Sequence, residues 1–176
     1  MKYAKKIEGE RIYLSPMNPD DAETYLAWIN DVKVAAYLGP MYARMVGLNG
    51  ERAFLESAGQ QGHDYSIVLK DGDKLIGSVG LTDIDHRSCA ATLGVFIGDA
   101  AYREKGYGTE AVKLIVEYGF QWLNVHNIML TVRAVNERAI ACYKKVGFRE
   151  FGRRTQSTFF DGRLVDDVYM EMVSDK

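Results

Sequence analysis

The chain has 176 residues, of which 47% are hydrophobic, and a formal net charge of −2 at pH 7. The slight negative charge argues against a general nucleic-acid binder, and no apolar run reaches the ~18 residues that a membrane-spanning helix needs. The charged residues 1–6 precede no apolar stretch, so no secretory signal is predicted. We therefore expect a single cytoplasmic domain over residues 1–176 that binds neither nucleic acid nor membrane.

The N-terminal third predicts one strand and two helices. Ile12 and Leu14 alternate with polar residues, as in a strand with one buried face. Asn18 and Pro19 supply an N-cap and a first-turn proline, so a helix is predicted to start here and to continue through residues 25–29. A second helix is predicted over residues 50–58.

The middle of the chain predicts three consecutive strands. Residues 65–69 and 74–84 flank the turn Asp71-Gly72-Asp73, which is typical of a hairpin. A third strand follows over residues 88–97. Asp83 and Asp85 alternate near the end of the second strand, so we expect both on one face.

A glycine-containing turn after the third strand is the strongest functional signal. It comprises Arg103, Glu104, Lys105, Gly106, Tyr107, Gly108 and Thr109. The two glycines allow backbone N–H groups to point inward, and the helix that follows adds the positive end of its dipole. Arg103 and Lys105 can add full positive charges. The turn therefore predicts a site for the pyrophosphate of a nucleotide-like cofactor.

The remaining elements complete a mixed, mostly antiparallel α/β sheet. The helix after the turn has an apolar face formed by Ala111, Val112, Leu114, Ile115, Tyr118 and Trp122. A strand over residues 128–132, a helix over residues 137–145 and a hairpin of residues 148–160 with 164–173 follow. The sum is about seven strands with about four flanking helices.

Two motifs in this order resemble the GCN5-related N-acetyltransferase (GNAT) superfamily. The first is R-x-x-G-x-G at residues 103–108, and the second is N-x-x-A-x-x-x-Y-x-x-x-G-F from Asn136 to Phe148. The resemblance is best from about Ile76 to Met172. Within the superfamily, LNVHNI at 123–128 and FFDGRLVDD at 159–167 look like the branch of spermidine and ribosomal-protein N-acetyltransferases.

The resemblance implies an acetyl-CoA-dependent N-acetyltransferase with splayed central strands. The turn of residues 103–109 would bind the pyrophosphate of coenzyme A, which serves as the acetyl donor. A backbone N–H of Phe96 or Ile97 would bond the thioester carbonyl oxygen. Asn136 would cap its helix and bind the pantetheine arm, and Tyr143 would protonate the departing thiolate.

The base that accepts the amine proton is less evident. Many relatives carry a glutamate where this chain has Thr92, so we select Asp83 from the adjacent strand, with a water-relayed base as an alternative. His63, His86 and His126 are further alternatives. Cys142 adjoins Tyr143, but without a histidine in a recognisable motif it predicts a small buried residue, which favours direct transfer over an acyl-cysteine intermediate. The two cysteines also lack metal-ligand spacing, so no metal is expected.

The acceptor remains open among a polyamine-like amine, an amino-sugar and a protein N-terminus. A polyamine would favour an acidic cleft, to which five residues could contribute: Asp83, Asp85, Asp161, Asp166 and Asp167. A non-catalytic GNAT-like module that binds coenzyme A or a protein is the alternative function. A homodimer is also expected, because the final hairpin carries the aromatic residues Phe151, Phe159, Phe160 and Tyr169.

Overall fold

The computed structural model describes residues 2–39 and 44–175, and its centre is one sheet of eight strands. The strand order is β1-β2-β3-β4-β5-β6-β8-β7. Every neighbouring pair is antiparallel except β5 with β6, which is parallel. The predicted mixed, mostly antiparallel sheet is thus confirmed.

The elements have the following bounds. The strands are β1 (Ile7–Glu8), β2 (Ile12–Pro16), β3 (Asp64–Leu69), β4 (Leu75–Asp85), β5 (Ala90–Ile97), β6 (Asn127–Arg133), β7 (Arg149–Phe160) and β8 (Arg163–Val173). The α-helices are α1 (Ala22–Ile29), α2 (Val32–Ala35), α3 (Leu48–Gln61), α4 (Tyr107–Trp122) and α5 (Glu137–Val146). Single 3₁₀ turns cover Pro19–Asp21 and Ala100–Tyr102.

Most sequence-predicted elements are present, and the additions are short. The two residues of β1 and the four of α2 are too few to show a periodic pattern. Asn18 caps the first turn as predicted, since its side-chain oxygen accepts a hydrogen bond from the Asp20 N–H at 2.9 Å. That turn is 3₁₀, and α1 continues from it.

Helices cover both faces of the sheet and bury an apolar core on each. On one face, α4 packs Ala111, Val112 and Ile115, all fully buried, into the main core cluster. On the other face, α1 and α3 contribute Tyr25 and Leu55 to a second cluster. Trp122 departs from the predicted apolar face of α4. It is the last residue of the helix, where the chain turns away, and its side chain is 74% exposed.

The parallel pair at the centre of the sheet separates after three positions. Residues 90–92 of β5 pair with residues 127–129 of β6, and no pairing continues beyond Thr92 and Met129. The rest of β5 therefore presents backbone groups on one side without a neighbouring strand. The splayed central strands that the GNAT resemblance implied are confirmed.

Candidate active site

A cavity of about 890 Å³ occupies the gap between the separated ends of β5 and β6. Residues 95–97 of β5 and 131–133 of β6 form its inner walls. The turn before α4, the inner face of α5, α2 and the β7–β8 hairpin enclose the remaining sides. Of the site residues predicted from the sequence, all but Asp83, Lys105 and Tyr107 line this cavity.

The turn before α4 has the backbone conformation that an anion site needs. Gly106 is the N-cap of α4 with φ +84°, and Glu104 also has a positive φ of 62°. Glycine adopts this conformation without steric cost, whereas a side chain is strained there. A Cβ at Gly106 would also lie 3.3 Å from Arg11 Nη2, but one at Gly108 would meet only Ile97 Cγ1, at 3.8 Å. The first N–H groups of α4 are consequently available beside the cavity.

Arg11 and Glu110 fasten this turn to β2, a contact that the sequence analysis missed. Glu110 accepts hydrogen bonds from the Arg11 side chain at 2.9 Å and from the backbone N–H of Arg11 at 2.8 Å. Arg11 also donates to the Lys105 carbonyl oxygen at 2.9 Å and lies over the Tyr107 ring. Burial raises the pKa of Glu110, but these hydrogen bonds and the Arg11 charge outweigh it and leave the pKa below its usual value. The partners are 99 residues apart, so no local motif signals the pair.

Arg103 has a different position from the one expected of a phosphate ligand. Its Nε donates to the Ile97 carbonyl oxygen at 3.0 Å, and its Nη2 donates to the Gly98 carbonyl oxygen at 2.6 Å. The guanidinium therefore fixes the end of β5 beside the turn. Two other cations line the cavity from α5, namely Lys145 and Arg138, and Arg138 pairs with Glu104 at 3.0 Å.

The orientation of the backbone distinguishes the two candidate N–H donors on β5. The Gly98 N–H donates to the Ile76 carbonyl oxygen on the β4 side. Since N–H groups alternate sides along a strand, the Ile97 N–H faces the gap toward β6 and the Phe96 N–H faces β4. The Phe96 ring packs against Tyr25 and Trp28. Ile97 is therefore the better placed donor.

Asn136 and Tyr143 both reach the cavity from α5. Asn136 caps the helix as predicted, because its Oδ1 accepts a hydrogen bond from the Ala139 N–H at 3.2 Å. Tyr143 is 9% exposed and packs on the Phe148 ring. Burial, with a smaller contribution from Cys142, raises the pKa of Tyr143 above its ordinary value. The phenol therefore retains its proton at neutral pH, as a general acid must.

Cys142 lies beside Tyr143 but has no base next to it. Its Sγ is 3.2 Å from Thr109 Oγ1, and both residues line the cavity. No histidine lines the cavity within residues 2–39 and 44–175. The surroundings favour the predicted packing role of this thiol.

Asp83 lies far from the other site residues. It is exposed, and the β4–β5 ladder is irregular between Thr82 and Asp85, where Asp83 has a φ of 50°. The predicted alternation of Asp83 and Asp85 on one face is therefore interrupted. Thr82, which precedes Asp83, pairs with Thr92. This pair lies four residues along the β4–β5 ladder from the pair Ser78–Phe96, which is at the cavity. The histidine alternatives at positions 63, 86 and 126 are also outside the cavity lining.

A polar cluster on the β7–β8 hairpin centres on Asp167, one of the five acids that the sequence suggested for an acidic cleft. Asp167 lines the cavity, and its Oδ2 accepts hydrogen bonds from Ser157 Oγ and Thr158 Oγ1, both at 2.7 Å. Arg133, which is 7% exposed, is the register partner of Asp167 across β6 and β8. The hairpin at residues 161–162 sets the register of β7 with β8, but the pairing of β8 with β6 depends on the strand order of the whole sheet.

Comparison with known sequences identifies the family. The acetyltransferase (GNAT) domain profile matches residues 11–149, which is most of the chain. The chain belongs to the GNAT family.

Its relatives include characterised and uncharacterised GNAT members. A Bacillus licheniformis protein named as an uncharacterized N-acetyltransferase, p20, is 28% identical over 92% of this chain and 91% of its own length. The spermidine N(1)-acetyltransferase of Escherichia coli strain K12 is 36% identical over 61% of this chain and 59% of its own length. The crystal structure of the Vibrio cholerae spermidine N-acetyltransferase, in complex with CoA and spermine, has a TM-score of 0.82 at 22% identity, covering 96% of this chain and 98% of that one.

The described part of this GNAT domain contains neither a cluster of metal-binding side chains nor a helix that could span a membrane. Residues 2–39 and 44–175 contain no group of three or more His, Cys, Asp or Glu residues placed to hold a metal ion. None of the helices described here is long and apolar enough to cross a membrane. Both cysteines are free thiols.

Proposed function

We propose that this protein transfers an acetyl group from acetyl-CoA directly to the primary amine of an acceptor. The acceptor is a small molecule, polyamine-like or an amino-sugar, or a protein N-terminus. The observation that carries the proposal is the cavity between the separated strands, with the glycine turn at one side and Tyr143 in its wall. Membership of the GNAT family and relatives named as N-acetyltransferases support it.

The turn suits the diphosphate of coenzyme A. The N–H groups at the start of α4 and the positive φ of Gly106 form a concave donor surface, and the helix dipole adds to its attraction for anions. Lys105 is exposed on the turn, and Arg138 and Lys145 face the cavity from α5. These cations would balance the phosphate charges, while Arg103 holds the end of β5 in place.

The unpaired edge of β5 suits the pantetheine arm, which resembles an extended peptide. Backbone groups between Leu93 and Ile97 have no strand partner on the β6 side. An extended chain can add to such an edge through main-chain hydrogen bonds. The amide of Asn136, beyond its capping contact, would bond the same arm.

The chemistry then needs one donor at the carbonyl and one acid at the sulfur. The amine nitrogen attacks the carbonyl carbon, and the Ile97 N–H would stabilise the negative charge that develops on oxygen. The carbon–sulfur bond breaks, and Tyr143 would give its proton to the thiolate and regain one from solvent. The acceptor ammonium must first lose a proton to become the neutral, nucleophilic amine, and water would carry that proton to solvent, because Asp83 is outside the cavity.

Calorimetric titration followed by a thiol-release assay tests the proposal. Acetyl-CoA should bind with one molecule per chain, and a panel of amines should then release free coenzyme A in proportion to acetylated product. A protein that binds acetyl-CoA but acetylates no amine would instead be the non-catalytic module. A protein that does not bind acetyl-CoA would refute both.

The expected setting of the enzyme is the cytoplasm, and the expected assembly is a homodimer. Two free cysteines are compatible with a reducing compartment. β7 is an edge strand, and Phe151 on it is 51% exposed, which gives apolar surface for a two-fold contact.

A further inference from the structure

The cavity divides into a donor half and an acceptor half. The donor half adjoins the glycine turn and α5, where Glu104 is already paired with Arg138. The acceptor half adjoins α2, the end of β6 and the β7–β8 hairpin. Among the described residues that line the acceptor half, Asp167 is the only carboxylate.

A backbone irregularity orients this carboxylate. Consecutive strand residues normally face opposite sides, yet Ser157 and Thr158 both donate to Asp167 Oδ2. The register shifts between Arg154 and Thr158, where Gln156 has a φ of 49°, and this shift brings both hydroxyls to one oxygen. Oδ1 of Asp167 makes no hydrogen bond within the described residues, so it remains open to a donor in the cavity.

The other charged side chains that line the acceptor half, among the residues that the structure describes, are positive. Arg133 is the neighbour of Asp167 across the ladder, and Lys33 extends from α2. One ammonium group of a diamine would bind the Asp167 carboxylate. The second ammonium group would then lie close to the positive charges of Lys33 and Arg133. Asp161, at the hairpin tip, is four or more residues further along the ladder, which is at least about 14 Å in a strand. A short diamine cannot span that distance.

The space beyond Asp167 is mostly apolar, with Lys33 and Asp161 as the charged residues among the described part of its wall. A second cavity of about 470 Å³ lies between α2 and the hairpin tip, and it shares Lys33, Tyr37 and Phe159 with the first. Three apolar side chains in its wall are largely exposed, namely Val32 at 68%, Tyr37 at 45% and Phe159 at 56%. Exposed apolar surface that continues from a reaction site is suited to the body of a substrate.

From these observations we infer that the acceptor is a primary monoamine with an apolar body. Its ammonium group binds Asp167, and its body occupies the apolar cavity between α2 and the hairpin tip. This inference rests on the proposed acetyltransferase function and specifies its substrate class. Of the five acids considered for a polyamine cleft, Asp83, Asp85 and Asp166 line neither cavity, Asp167 lines the first and Asp161 lines the second, so no two of them line the same cavity.

A matched pair of amines tests the charge argument. Hexylamine and 1,6-diaminohexane have the same carbon chain and differ by one terminal ammonium. At saturating acetyl-CoA, we expect kcat/KM for hexylamine to exceed that for the diamine by at least about tenfold. The reason is that the second ammonium group of the diamine would lie beside like charges in a partly desolvated site. Lys33→Glu should reduce this ratio, since it supplies a carboxylate for the second ammonium.

Variants of the hairpin test the two contacts separately. Asp167→Asn should lower kcat/KM for hexylamine by about 10²-fold, consistent with loss of a charge-assisted contact, while the acetyl-CoA Kd stays within about threefold. Asp166→Asn is the matched control: Asp166 instead accepts from the Gln156 N–H and Arg153, so this variant should retain activity. Phe159→Ala should reduce the preference for hexylamine over ethylamine by about three- to tenfold.

The outcomes separate this inference from the proposed function. If the diamine is as good a substrate as hexylamine, or if Asp167→Asn leaves the hexylamine KM and kcat unchanged, the inference is wrong while acetyl transfer stands. If no amine is acetylated although acetyl-CoA binds, both fail. Acetyl-CoA affinity serves as the folding control, because an Asp167→Asn variant that binds acetyl-CoA as tightly as wild type is folded.

Discussion

Replacing Gly106 with valine should weaken acetyl-CoA binding more than it weakens the fold. Gly106 has φ +84° at the N-cap of α4, and a side chain there would also approach Arg11 Nη2 at 3.3 Å. Holding a non-glycine residue in this region costs about 1–3 kcal/mol. In the free protein the loop relaxes to avoid that cost, so binding must restore the strained conformation.

This cost converts to an increase in the acetyl-CoA Kd of about 5- to 150-fold, since each 1.4 kcal/mol is about tenfold. Calorimetric titration measures it directly, with thermal melting to confirm folding. Gly72→Val is the strain control, because Gly72 has φ +75° in the distant β3–β4 turn. It should lower the melting temperature and leave the Kd unchanged.

Gly108→Ala is the steric control. A Cβ at Gly108 makes only an ordinary contact with protein atoms at 3.8 Å, so this variant should keep the melting temperature of wild type, and its acetyl-CoA Kd should rise less than that of Gly106→Val. If folded Gly106→Val binds acetyl-CoA as tightly as wild type, the turn is not the phosphate site, whatever the controls show.

Three further predictions concern the acid, the Glu110 contact and assembly. Tyr143→Phe should lower kcat by about 10²–10³ with the acetyl-CoA Kd within about threefold, and full activity would remove the acid role. Because burial raises the pKa of Tyr143, the wild-type rate should persist to pH values near 10, and the variant should lose any decline above that range. Glu110→Gln should lose roughly 1–3 kcal/mol of stability at pH 7, measured by denaturant unfolding. The hydrogen bonds to Glu110 lower its pKa in the folded protein. The stability that they contribute is therefore present above about pH 4.3, the ordinary pKa of a glutamate, and is lost as the pH falls through the lower pKa of the folded state. A stability difference between wild type and Glu110→Gln that persists at pH 2 would contradict this account. Light scattering should give a dimer mass that Phe151→Glu reduces to a monomer mass, and a wild-type monomer at high micromolar concentration would exclude the dimer.

The sequence predicts the parts of this fold that repeat a local pattern. Alternation of apolar and polar residues predicted the long strands. Asn18, Gly106 and Asn136 marked the starts of helical segments, because capping and positive φ make the same backbone requirements in any context. The two motifs also brought Asn136 and Tyr143 to the same cavity, because seven residues make about two helical turns.

The missed features depend on contacts between distant segments. Arg11 with Glu110, and Arg133 with Asp167, are brought together only by the order and register of strands. Asp83 was selected from the strand adjacent to Thr92, which replaces the glutamate of many relatives, but the site opens at the opposite end of the β4–β5 ladder. Trp122 fitted the apolar period of α4, yet periodicity does not say where the neighbouring sheet ends.

The central claim is that this cavity transfers an acetyl group to an amine. Mass spectrometry of hexylamine incubated with acetyl-CoA and the protein tests it most directly, with free coenzyme A quantified in the same reaction. We predict one N-acetylated amine for each coenzyme A released, at a rate that Tyr143→Phe lowers by about 10²–10³. Release of coenzyme A without acetylated amine, across hexylamine, spermidine, an amino-sugar and a peptide N-terminus, would contradict the account.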